Sequence, residues 1–118
     1  MPEPLQLLRP DGTPTGDLPD FDPAFLVEMY RLMVLSREFD RRMLALQRQG
    51  RIGTYAMLEG EEAVQIGSGM ALAQNDFVFP SYREHGLQIA RGLPIEVVMS
   101  YWRGLPNSDW DVHRHRMG

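Results

Sequence analysis

The chain has 118 residues, 43% hydrophobic and 24% charged, with a net charge of −4 and a sequence pI near 5.3, which suits one soluble domain or part of a larger one. The acidic balance argues against a dominant nucleic-acid surface, no apolar run approaches the roughly 20 residues of a membrane span, and the opening lacks the features of a secretory signal, so a cytoplasmic location is expected. Cysteine is absent and all 12 basic residues are arginine, which excludes disulfides, thiolate chemistry, lysine Schiff bases and a P-loop lysine.

Residues 1–20 contain five of the nine prolines and read as an extension, with Asp11-Gly12 suited to a short hairpin but a surface arm the plainer reading. Asp22 followed by Pro23 is a helix start. From there Phe25, Met29, Leu32, Ser36, Phe39, Met43 and Leu46 recur at alternating spacings of four and three, which predicts one long amphipathic helix stopped at Gly50. Leu26 and Met33 widen its apolar stripe, and Glu38 is placed to pair with arginines one turn on.

After a loop around Gly50 and Gly53, Thr54–Met57 suits extended chain and a second helix is expected to begin near Gly60. On that helix Gly60, Ala63, Gly67 and Ala71 form a stripe of small residues, which suits close helix packing and contact with a cofactor or subunit equally. Glu59, Glu61 and Glu62 have the composition of an acid–base group, although Glu61 is explained by the helix dipole alone.

Phe77–Phe79 is expected to form a short strand ended by Pro80, and Ser81 to cap a helix through Ala90, with Gly92 ending it and Pro94 opening another that runs to Trp102 or Arg103. Ser81, Tyr82 and Arg83 would then stand in a first helical turn directly after a strand, where N–H groups and a guanidinium favour an anion such as phosphate. The bland reading is a cap, a packed tyrosine and an arginine paired elsewhere. His85 suits either a proton carrier or a hydrogen-bonded structural residue, and with His113 and His115 it makes three imidazoles, a weak basis for a metal site.

The ordered pieces "LQRQGRIG", "GEEA" and "PSYREHG", within a stretch from Tyr30 to Gly104, resemble the N-terminal part of the alpha subunit of the thiamine-diphosphate-dependent 2-oxo acid dehydrogenase family, which includes pyruvate and branched-chain 2-oxo acid dehydrogenases. The resemblance implies an α/β thiamine-diphosphate-binding fold, of which this segment would be mostly helical with one short strand. Residues 21–118 would be the start of that domain, ending before its metal-binding motif. It implies cofactor contacts at Ser81, Tyr82 and Arg83 and a substrate-facing wall at Thr54, Tyr55 and Tyr82. Thr54 stands where the family often has phenylalanine, so the side-chain preference does not transfer.

By the same resemblance no catalytic proton carrier is assigned here, because the family's activating glutamate belongs to the beta subunit. Mg²⁺ would be held by a Gly-Asp-Gly motif beyond residue 118. The implied reaction is decarboxylation of a 2-oxo acid, with the acyl group passed to the lipoyl-bearing dihydrolipoyl transacylase. Pyruvate is the first expected substrate and a branched-chain 2-oxo acid the alternative, in an alpha2beta2 heterotetramer. A non-catalytic helical subunit-interaction module is the reading from a different class.

Overall fold

The computed structural model describes residues 4–105 and 111. Four helices account for the regular structure among them: α1 (Pro23–Arg48), α2 (Glu62–Ala71), α3 (His85–Ala90) and α4 (Ile95–Trp102). Ahead of them, Leu8 bridges Pro14 in an antiparallel hairpin whose Gly12 takes a φ of 82°. This is the turn that Asp11-Gly12 suggested. The hairpin leaves Leu5, Leu7 and Leu8 exposed.

α1 follows from its sequence signals. The Asp22 carboxylate accepts the Ala24 N–H at 2.8 Å, Pro23 occupies the first turn, and the chain leaves the helix at Gly50 with a φ of 69°. Leu32, Ser36, Phe39, Met43 and Leu46 are buried as their spacing predicts, while Leu26 stays half exposed. Asp40 is buried with them, which the apolar pattern does not anticipate.

α1, α2 and α3 pack pairwise, with α2 against α3 the most extensive contact. Val97 and Val98 of α4 join Leu32, Phe39, Met43, Ile66, Ile89 and Leu93 in one core, each large apolar side chain worth about 1.5–3 kcal/mol on burial. The close approach of α2 is made at Gly69, where an added Cβ would lie 2.9 Å from Ala90 Cβ and 3.2 Å from Leu87 O. The expected small-residue stripe does not make it. Gly60 precedes the helix with a φ of 99°, Ala63 and Ala71 are exposed, and Gly67 would meet nothing nearer than Met29 Cε at 4.0 Å.

Two boundaries differ from the sequence reading. Phe77–Phe79 is not an extended strand: Val78 alone sits in a β-bridge, no longer ladder forms among the described residues, and the Phe77 and Phe79 rings lie 5.6 Å apart, 38% and 79% exposed. A three-residue run is shorter than the usual strand, and a single bridge pairs only part of its backbone. α3 starts at His85 rather than at Ser81, so Ser81–Arg83 form a bent turn before the helix. Among the described residues the architecture is helical.

Candidate functional site

The site residues come from two irregular segments, 52–60 ahead of α2 and 79–84 ahead of α3. The first is pinned to α1. Asp40 Oδ1 accepts the Tyr55 hydroxyl and the Leu58 N–H, both at 2.8 Å, and Oδ2 accepts the Glu59 N–H at 3.2 Å. Gln47 adds a bond from the Tyr55 N–H at 2.6 Å. Burial, and then the bond to Asp40, push the Tyr55 phenol pKa well up.

The second segment docks on the first. Arg83 Nη1 donates to Met57 O at 2.7 Å, and His85 Nε2 lies 2.8 Å from Ala56 O. A carbonyl only accepts, so Nε2 carries the ring proton. Burial is the main cause that lowers the His85 pKa, partly opposed by Ala56 O and Asp40, and the ring is neutral at physiological pH. The Tyr55 ring stacks on His85 at 5.2 Å, and Trp102 meets both rings edge-on at 5.0 and 5.3 Å. α2 locks the turn from the other side, as Gln65 accepts the Gly86 N–H at 2.9 Å and donates to Arg83 O at 3.3 Å.

The Arg83 N–H of the turn is not open to an outside anion. Glu84 turns its carboxylate back onto Ser81 Oγ at 2.9 Å and the Arg83 N–H at 3.3 Å. Its burial raises the carboxyl pKa, but the Ser81 hydroxyl and the backbone N–H groups together outweigh that and lower it. The anion-binding capacity expected from a helix start therefore passes to side chains. Tyr82 is 63% exposed, and the Arg83 guanidinium lies 5.5 Å from its ring centroid.

Arg83 differs from the paired arginines. Arg37 forks onto Glu62 at 2.7 and 2.9 Å, and Arg31 onto Glu28 at 2.7 Å twice. Among the described residues the one ion pair of Arg83 is a long, single contact to Glu61 at 3.9 Å. Beside Tyr82 opens a cavity of about 260 Å³, walled by Ser81, His85, Val98, Tyr101 and Trp102.

The two segments are thus brought together, but their members face differently. Thr54 is exposed, whereas Tyr55 is 5% exposed with its hydroxyl already bonded. Glu59, Glu61 and Glu62 do not form an acid–base pair, since each has its own partner: Arg41 at 3.2 Å, Gln65 at 3.1 Å and Arg37 at 2.7 Å. Among the described residues no three His, Asp or Glu side chains converge as a metal site. His113 and His115 lie outside the described residues.

The family model described as "Dehydrogenase E1 component" matches residues 30–117. The chain belongs to the dehydrogenase E1 component family. Among curated E1 relatives it is 44% identical over 108 residues to 3-methyl-2-oxobutanoate dehydrogenase subunit alpha of Mycobacterium tuberculosis, covering 86% of this chain and 29% of that protein. It is 39% identical to the pyruvate dehydrogenase E1 component subunits alpha of Staphylococcus epidermidis and Bacillus subtilis, covering 86% and 85% of this chain and 28% of each relative. The chain therefore spans under a third of the length of these E1 relatives.

Within this E1 segment, sequence reasoning missed Asp40 and Trp102. The signal for Asp40 was its place on the buried stripe, four residues after Ser36 and three before Met43. Trp102 was read only as a helix end.

Proposed function

We propose that this chain contributes to the decarboxylating component of a 2-oxo acid dehydrogenase complex, with Arg83, Tyr82 and Ser81 holding the diphosphate of thiamine diphosphate. The observation that carries the reading is the state of Arg83, fixed by Met57 O and without a forked carboxylate among the described residues. An oriented, partly exposed guanidinium of this kind suits the oxygens of a diphosphate. Ser81 and Tyr82 lie on the same turn and border the cavity. Arg83 and Tyr82 fit the cofactor's anionic end, and Ser81 joins them by releasing its bond to Glu84.

When bound, thiamine diphosphate supplies the electron sink that permits loss of CO₂ from a 2-oxo acid. The chain's own residues bind and orient. Arg83 neutralises diphosphate charge, Tyr82 adds a hydroxyl and an aromatic wall, and Thr54 presents its side chain towards the substrate side. Tyr55 backs that wall by its packing on His85 and Trp102. Mg²⁺ requires hard oxygen ligands, which this reading assigns to residues outside 1–118. The α/β thiamine-diphosphate fold, the beta-subunit partner in an alpha2beta2 assembly, the lipoyl-bearing transacylase and the cytoplasmic location belong to the same proposal. So does the boundary between the extension 1–20 and the domain from residue 21.

Pyruvate is the first substrate of this reading. A branched-chain 2-oxo acid is the alternative, and the greater identity to the 3-methyl-2-oxobutanoate relative, 44% against 39%, favours it. The test is decarboxylation by the full-length chain assembled with its partner subunit, with and without added thiamine diphosphate, against both acids. Cofactor-dependent turnover of either supports the reading, and turnover of neither refutes it.

A further inference from the structure

Resting on the reading of Arg83 as a diphosphate anchor, we infer that Asp40 is the positioning residue for that anchor, acting through the loop between α1 and α2. Asp40 is fully buried, and no arginine lies within ion-pair distance of it among the described residues. A carboxylate placed so is costly unless several donors satisfy it. An apolar side chain, such as neighbouring Phe39 or Met43, would fill the same stripe without that cost.

The three donors explain the placement. They are Tyr55 Oη, Leu58 N and Glu59 N, which bracket the two carbonyls, Ala56 O and Met57 O, that receive His85 and Arg83. Asp40 draws the donors of this loop towards α1, and the carbonyls between them are thereby presented to the Tyr82–His85 turn. The Met57 carbonyl holds Arg83 Nη1 at 2.7 Å. Asp40 touches neither cofactor nor substrate in this reading; it sets where the guanidinium stands.

The test uses the full-length chain assembled with its partner subunit and measures the dissociation constants of thiamine diphosphate and of inorganic pyrophosphate by calorimetry, alongside Tm. Asp40→Asn keeps the shape but turns an N–H donor against one of the loop's donors. Both dissociation constants should rise about tenfold. Leu32→Ala, two turns earlier on α1 and buried in the core, should lower Tm at least as far and leave both constants unchanged. Arg83→Ala should raise both.

Should Asp40→Asn fail to assemble, Tyr55→Phe removes a single donor and should raise the pyrophosphate constant about threefold. Weakened binding in Arg83→Ala with none in Asp40→Asn or Tyr55→Phe overturns the role of Asp40 alone, as does equal weakening in Leu32→Ala. Unchanged binding in Arg83→Ala overturns the anchor reading and this inference with it.

Discussion

Replacing Gly69 by alanine tests the packing that carries the site. Its Cβ would sit 2.9 Å from Ala90 Cβ and 3.2 Å from Leu87 O, whereas carbon atoms settle about 3.5–4.0 Å apart. α2 and α3 must therefore separate by about 0.6 Å or more at their closest contact, and the Leu87 partner is backbone that cannot rotate away. Overpacking of this kind costs about 1–3 kcal/mol, and the gain in helix propensity from glycine to alanine returns about 1 kcal/mol. The net expectation is a loss of up to about 2 kcal/mol.

Gly67→Ala is the internal comparison. Two residues away in the same helix, its Cβ meets only the Met29 methyl at 4.0 Å, so propensity dominates and stability should rise by about 0.5–1 kcal/mol. Urea unfolding of the purified protein reads both, as midpoint shifts of opposite sign with an unchanged slope. A Gly69→Ala protein stabilised as much as Gly67→Ala would refute the claim that this contact is at its limit.

Ser36 Oγ is a buried hydroxyl with no hydrogen-bond partner among the described residues, so Ser36→Ala should be neutral or stabilising by about 1 kcal/mol, read by the same urea midpoints. His85 has its pKa lowered below the ordinary 6.5 by burial, and the unfolded chain therefore binds the proton first. Its contribution to stability is full above pH 6.5 and declines as pH falls towards the folded-state value. His85→Gln should flatten that part of the stability profile, and an unaltered slope would contradict the assignment. Asp40→Asn should weaken pyrophosphate binding beyond what its effect on Tm explains.

The helices were legible in the sequence where the signal is periodic and local. Asp22, Pro23 and the spacing of Leu32 to Leu46 defined α1, and Gly92 and Pro94 marked the junction between α3 and α4. The start of α3 was misread because Ser81 is a good cap residue after a proline, whereas here its hydroxyl bonds the Glu84 carboxylate and the helix begins after both. The role of Asp40 was hidden for a different reason. One carboxylate next to Arg41 and Arg42 looks solvated, and only the tertiary approach of the loop at 55–59 reveals its donors. In the same way the choice of Gly69 over Gly67 as the contact point depends on helix rotation, which one glycine-rich stretch does not specify.

The central claim is that Arg83 anchors a diphosphate. Calorimetric titration of thiamine diphosphate into the full-length chain assembled with its partner subunit tests it most directly, comparing the parent with Arg83→Ala and with Arg103→Ala at the exposed end of α4. The account predicts a dissociation constant at least about tenfold higher for Arg83→Ala, from loss of a charge-assisted contact, and no change for Arg103→Ala. Equal affinity in all three proteins would contradict it.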